Sequence, residues 1–209
     1  MSQKPTIGLT GGIASGKSCV AAVLIECGVG LVDADRVARE VVEPGTEGLA
    51  EIVATFGAEV LTADGQLDRT RLGEIVFDDE PARRQLQAIT HARIGQRSAT
   101  LMAEFQQSDC PYVVYDAPLL VEVGAHRAMA AVIVVAAPPE LQVARVQARD
   151  GLSETEARKR IAAQFPLEKK LEIADYVIEN TTTLEALRAR TLEVHDEILA
   201  RFGLHPSAS

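Results

Sequence analysis

Eight consecutive residues, Gly11-Gly12-Ile13-Ala14-Ser15-Gly16-Lys17-Ser18, fit the pattern G-x-x-x-x-G-K-[ST]. The spacing has a chemical reason. Glycines let the backbone wrap tightly, so that successive N–H groups point inward at phosphate oxygens. Lys17 is set to reach the β- and γ-phosphates of a nucleotide, and the Ser18 hydroxyl to ligate Mg²⁺. A helix starting near Gly16 adds the positive end of its dipole. Such a loop belongs between a strand and a helix. The apolar run Pro5–Thr10 precedes it here. Cys19–Cys27 follows, with Val20, Val23, Leu24 and Cys27 on one helical stripe. The sequence therefore predicts a site for nucleotide phosphates.

Other polar residues are placed to act beside this loop. Gly28–Asp33 reads as a short buried strand ending in Asp33. Open α/β sheets bind ligands at the carboxyl ends of their strands. A carboxylate there is suited to accept a proton from an attacking hydroxyl, as in kinase chemistry; the plainer alternative is a residue that only turns the chain. Asp35 reads as the N-cap of the helix that follows. Tyr112–Asp116 is nearly all apolar, as a central parallel strand should be. Asp116 ends it in the manner of a Walker-B aspartate, which orients Mg²⁺ or its waters. Pro118, Leu119 and Leu120 come next and are expected to line an acceptor cleft or to pack a helix. Asn180 closes a further strand, Ala174–Asn180, where it is placed to touch the base of the nucleotide.

The remaining elements must position these groups. Ala131–Ala136 is a fourth buried strand, closed by Pro138-Pro139. Five strands alternating with helices predict an α/β fold with a parallel sheet flanked by helices. Residues 37–107 interrupt that alternation. They are mostly helical in pattern, with Leu49, Ile52, Val53 and Phe56 on one stripe and one or two helices over 81–107. A simple crossover needs far fewer residues. This insertion is the natural place for recognition of a phosphoryl acceptor, and it carries Arg69, Arg71, Arg83, Arg84, His91, Arg93 and Arg97. Residues 140–164 form two helices around the turn Asp150-Gly151-Leu152, and Ser153-Glu154-Thr155-Glu156 has the capping-box form. With Arg145, Arg149, Arg158 and Arg160, this hairpin reads as a lid that brings positive charge to a transferring phosphoryl group. The alternative is an ordinary salt-bridged hairpin. The organisation predicted is a core of 1–36, 108–139 and 165–209, an insertion of 37–107 and a lid of 140–164.

Composition narrows the class. The chain of 209 residues has a formal net charge of −9 and 4% aromatic residues. A nonspecific nucleic-acid binder carries a basic face and stacking platforms, so no polynucleotide partner is expected. Cys19, Cys27 and Cys110 form no CxxC pair, which argues against a disulfide frame or zinc site; Cys19 and Cys27 are expected as small core residues of the first helix. No stretch has the length of a membrane span or the form of a signal peptide, so a cytoplasmic location is expected. No oligomeric partner is evident.

Taken together, these segments resemble the dephospho-CoA kinases from about Ile7 to about Leu187. The resemblance rests on Leu9–Ser18, Val32-Asp33-Ala34-Asp35 with Arg39, Asp64-Gly65 with Leu67-Asp68-Arg69, and Ile89-Thr90-His91. It continues in Pro118-Leu119-Leu120-Val121-Glu122, in Arg145–Asp150 with Ala163-Gln164, and in Ala174–Ile178 with Asn180. It implies a P-loop kinase core, a helical CoA-binding region and an arginine lid. It implies ATP- and Mg²⁺-dependent transfer of the γ-phosphoryl group to the ribose 3′-hydroxyl of dephospho-CoA, the last step of CoA biosynthesis. By the same resemblance, Asp33 takes the place of the catalytic base. Lys17 and the amides from Gly11 to Ser18 hold phosphates, and Arg145 and Arg149 act from the lid. Asn180 faces adenine, and Asp35, Arg69, His91, Pro118, Leu119 and Glu122 fall in the acceptor region. Ala14 stands where the family commonly has Gly, so this position is expected to accept a negative φ. Ala92 follows His91 in place of Pro, and Thr182 replaces a Gly. Two rivals are a kinase for another small hydroxyl acceptor and a nucleotide-dependent switch. The second lacks its expected features, since Asp116-Ala117-Pro118-Leu119 has no D-x-x-G glycine and no N-K-x-D occurs.

Overall fold

Strand β1 (Thr6–Gly11) runs through the middle of a five-stranded sheet in the computed structural model, which describes residues 3–206. Its parallel neighbours are β3 (Val113–Asp116) and β4 (Ala131–Ala136), which set Ile7 opposite Val114 on one side and Ala131 on the other. β5 (Tyr176–Glu179) pairs in parallel with β4, and β2 (Gly30–Asp33) lies outside β3, giving the order β2-β3-β1-β4-β5. Every residue of β4, Ala-Val-Ile-Val-Val-Ala, is buried. Continuous apolar strands are what a parallel sheet needs when helices cover both faces. Helix α1 (Lys17–Glu26) brings Val20, Ala21 and Leu24 to one face. The last helix of the chain, Leu184–Phe202, brings Leu187, Val194 and Ile198 to the same core, against Ile7, Leu9, Ile133 and Ile178. This core also holds a buried polar pair, the Tyr112 hydroxyl and His195 Nδ1 at 2.8 Å.

The chain divides into two compact units, one of the described residues in Met1–Val32 and Phe105–Ser209, the other Asp33–Glu104. The second unit is helical, as its pattern predicts. It contains α2 (Ala34–Glu40), α3 (Glu47–Phe56), α4 (Arg69–Phe77) and most of α5 (Glu80–Gln107), the last a single helix. Its helix starts are fixed locally. Asp33, Thr46 and Asp68 each cap a helix by accepting a hydrogen bond from the backbone N–H three residues on, at Arg36, Leu49 and Arg71. Asp33, not Asp35, is therefore the cap of α2. β2 ends in extended backbone at Asp33 (φ −86°, ψ 109°), the conformation that a cap requires, while Asp35 lies in the first helical turn. Between α3 and α4 the turn at Asp64-Gly65 joins Leu61 and Leu67 in an antiparallel bridge, and Gly65 takes φ 78°.

The hairpin expected over 140–164 belongs to the first unit. Its helices are α6 (Pro139–Asp150) and α7 (Glu154–Ala162), with Gly151 at φ 68° between them. Ser153 and Glu156 make both bonds of the capping box. A short helix that the sequence did not suggest, α8 (Leu167–Leu171), follows Pro166, and the final helix is α9. Two core expectations are corrected. Cys19 is exposed on the outer side of α1, because the buried stripe uses Val20, Ala21, Val23 and Leu24. Leu120 does not line a cleft; it is fully buried, and a Cβ on Gly8 would strike it.

Candidate active site

The predicted phosphate loop lies between β1 and α1. Gly16 takes φ 96° as the N-cap of α1, a conformation open to glycine. The amides of Gly16, Lys17 and Ser18 find no acceptor among the described residues, since the first N–H groups of a helix have no partner within it. They form a row of donors beside the positive end of the helix dipole. Ser18 is exposed at this end. Lys17 Nζ is hydrogen-bonded to Asp116 Oδ1 at the end of β3, with Asp116 only 4% exposed. β3 is the direct neighbour of β1, so the expected loop lysine and strand-end aspartate are brought together by the register that sets Leu9 opposite Asp116.

The outer arc of the loop is held by residues far away in sequence. Ile13 N–H donates to Gln164 Oε1 at 2.7 Å, and Ile13 C=O accepts from Gln142 Nε2 at 2.8 Å. Ala14 C=O accepts from Arg145 Nη1 at 3.3 Å. Ser15 C=O accepts from Asn180 Nδ2 at 2.8 Å, while Asn180 Oδ1 accepts from Arg145 at 3.2 Å. Asn180 is 4% exposed, so its amide serves the loop, a role outside the sequence reading of a base contact. Arg145 likewise reaches the loop, whereas Arg149 is paired with Asp150 on the hairpin surface.

Ala14 corrects the expectation of negative φ. It takes φ 55°, the one non-glycine with positive φ among the described residues. The left-handed region costs an L-residue about 1–2 kcal/mol. The surroundings offset this: Ile13 and Ala14 pack on the apolar cluster of Val143, Val146 and Ala157 between α6 and α7.

The segment after β3 is tied to α8. Lys170 is fully buried, and its Nζ donates to Pro118 C=O at 2.8 Å and to Glu122 Oε1 at 2.7 Å. The same Glu122 oxygen accepts from Phe165 N–H at 2.9 Å. Burial pushes the Glu122 carboxyl up, but the bonds from Lys170 and Phe165 outweigh it and hold it below the usual carboxylate range. Glu122 is thus engaged in an internal ion pair, while Leu119 is exposed. No sequence pattern marked Lys170; one of two adjacent lysines in a short charged helix looks like surface. A cavity of about 300 Å³ lies beside this anchor, bounded by Gly12, Gln142, Gln164, Phe165 and Lys170.

In the helical unit, Asp33 Oδ1 accepts from Arg36 N–H at 3.0 Å, and its other oxygen has no partner among the described residues. Asp35, Arg69 and His91 are exposed. This unit has a cavity of its own, about 350 Å³, lined by Glu40, Thr46, Glu47, Arg93, Gln96 and Arg97 among others. Arg93 is bonded there to Glu47 and Glu51, and Arg97 lies near Glu40 at 3.6 Å. Nothing in the residue pattern separates these two from the other arginines of the insertion.

Residues 5–186 match the dephospho-CoA kinase family. The chain belongs to that family. It is 51% identical over 195 residues to a dephospho-CoA kinase of Thermobifida fusca, covering 93% of this chain and 96% of the relative. Among solved structures, the dephospho-CoA kinase from Campylobacter jejuni is 31% identical with a TM-score of 0.70, covering 92% of this chain and 96% of that one. The structure of TT1252 from Thermus thermophilus is 36% identical with a TM-score of 0.79, covering 95% and 99%. The five-stranded parallel sheet with its flanking helices is therefore that of a P-loop kinase. No helix of the described residues is long and apolar enough to cross a membrane.

Proposed function

We propose that this kinase catalyses the reaction of its family, ATP-dependent phosphorylation of the ribose 3′-hydroxyl of dephospho-CoA to give CoA and ADP, with Asp33 as the base. The observation that carries the reading is the row of loop amides with Lys17 and Asp116, within a chain that matches the family over residues 5–186. The amides and Lys17 are the donors that bind ATP phosphates. Arg145, bonded to Ala14 C=O, reaches the same loop from the hairpin and supplies charge where it develops on the transferring group. Asp33 ends a strand and keeps one carboxylate oxygen clear of partners among the described residues, as a proton acceptor for the attacking hydroxyl requires. Arg149 acts in this reading once its surface pair with Asp150 is exchanged for phosphate.

The donor set also suits Mg²⁺. Ser18 and Asp116 offer hard oxygens, and no group of three or more acidic, His or Cys side chains is clustered for a metal among the described residues. Mg²⁺ is commonly held by one or two protein ligands, its remaining positions taken by phosphate and water. When bound it neutralises charge on the phosphates. The helical unit takes the acceptor, through Asp35, Arg69 and His91 with Arg93 and Arg97 at its cavity.

The test is acceptor-dependent ADP release. Purified protein with ATP and Mg²⁺ is expected to release ADP on addition of dephospho-CoA, and not with nucleoside monophosphates or shikimate. Turnover with one of those acceptors and none with dephospho-CoA would overturn the substrate assignment and leave the fold untouched.

A further inference from the structure

The peptide of Ile13 is gripped on both sides. Its N–H donates to Gln164 Oε1 at 2.7 Å and its C=O accepts from Gln142 Nε2 at 2.8 Å. The two glutamines come from the two ends of the hairpin. Gln142 is buried in the first turns of α6, and Gln164 follows α7. Gln164 is itself held in place, because the next residue, Phe165, donates its N–H to Glu122, which is paired with the buried Lys170. The residue after the gripped peptide is Ala14, in the left-handed region at φ 55°. A glycine would enter that region freely; an alanine must be kept there by its surroundings. The side chains of Ile13 and Ala14 rest on the apolar cluster of the same hairpin, so the polar clasp and the apolar seat act on one pair of residues.

We infer that Gln142 and Gln164 are positioning residues, a clasp on the Ile13 peptide that holds the phosphate loop, left-handed Ala14 included, in the shape that presents its amides to ATP. Neither side chain needs to touch the nucleotide. The clasp ties the crest of the loop to the roots of the hairpin, so that displacing either root loosens the loop. The inference rests on the reading that this loop binds ATP, which binding to the unaltered protein tests separately.

The experiment uses the full chain and three substitutions. Gln142→Met and Gln164→Met keep the side-chain length and remove the donor or acceptor. Each is expected to weaken ATP binding about tenfold by calorimetry, and to raise KM for ATP more than it lowers kcat, as the loss of a buried polar partner implies. Ala14→Gly alone, a change within the loop itself, sets the reference against which the double variants are read. Combined with either glutamine variant it should restore most of the loss, because glycine reaches the loop conformation without the clasp. A glutamine that merely stabilised the fold would lower the melting temperature and show no such rescue. Unchanged ATP affinity in both methionine variants overturns the inference. So does a loss that Ala14→Gly leaves in place, which would assign the glutamines to a structural role where the melting temperature falls with it and to direct contact with the nucleotide where it does not. A further measurement needs no variant: in the unaltered protein the Ile13 amide should exchange with solvent slowly without nucleotide, and fast exchange there would refute the clasp. Failure of the unaltered protein to bind ATP would instead refute the reading of the loop itself.

Discussion

The phosphate loop and the helical unit Asp33–Glu104 reach order by opposite means. Around the loop, the bonds that matter join residues far apart in sequence. Ile13 meets Gln164, Ser15 meets Asn180, and Lys17 meets Asp116. Several of these partners are buried, where an unpaired polar group is costly. In the helical unit most of the fixed points are local, the pairs of Arg93 with Glu47 and Glu51 apart. Asp33, Thr46 and Asp68 cap helices within three residues of themselves, and the ion pairs of Arg71 and Arg84 run along exposed helix faces. Surface pairs of this kind contribute little. The difference teaches that the half binding the common co-substrate is fixed by buried long-range bonds, whereas the polar bonds of the half proposed to recognise the acceptor are mainly helix caps and exposed ion pairs.

Three substitutions break or sharpen this comparison. The largest effect is expected from Asp33→Asn. Asparagine caps a helix about as well as aspartate, so α2 should keep its stability. If Asp33 is the base, steady-state kinetics should show kcat lower by about 10²–10⁴-fold with ATP binding nearly intact. Activity comparable to the unaltered enzyme would leave Asp33 with capping as its only role.

Next comes Glu122→Ala, which strands the fully buried Lys170 without its counter-charge. Chemical denaturation should show a loss of roughly 3–5 kcal/mol. Because the Glu122 carboxyl is held below its ordinary range, its contribution is present above the unfolded carboxylate value, near pH 4.5, and is lost as pH falls through the depressed folded value. The acid-side drop in melting temperature should therefore be shallower in the variant than in the unaltered protein. A fall below about 1 kcal/mol would place Glu122 outside the structural anchor.

The smallest effect is expected from Thr46→Ala, which removes a local cap whose hydroxyl accepts from Leu49 N–H at 3.2 Å. Denaturation should report a loss of about 1 kcal/mol, with KM for ATP unchanged. A change in ATP affinity here would show that the helical unit and the loop are coupled.

Much of this could be read from the chain. The loop was legible because its eight positions are consecutive, and the strands because their apolar runs are unbroken. The capping box at Ser153 and Glu156 was legible because both partners lie within one turn. Asp33 and Asp116 were singled out because they close strands, where parallel sheets place ligands. Asp35 was misread as a cap because a cap is decided by where the extended backbone ends, and β2 runs on to Asp33. Lys170 and the clasping glutamines carried no local signal, since their partners lie 48 or more positions away.

The sequence by itself determined the order of strands and helices, the phosphate loop and the kinase family, because those depend on short spacings and on periodicity. Only the tertiary structure decided how the loop is held. The φ of Ala14, the turn of Asn180 toward Ser15 and the burial of Lys170 each depend on a partner brought close by the sheet order and the hairpin. A residue such as Ala14 can occupy a strained conformation when neighbours offset its cost, and those neighbours become adjacent to it only in the folded chain.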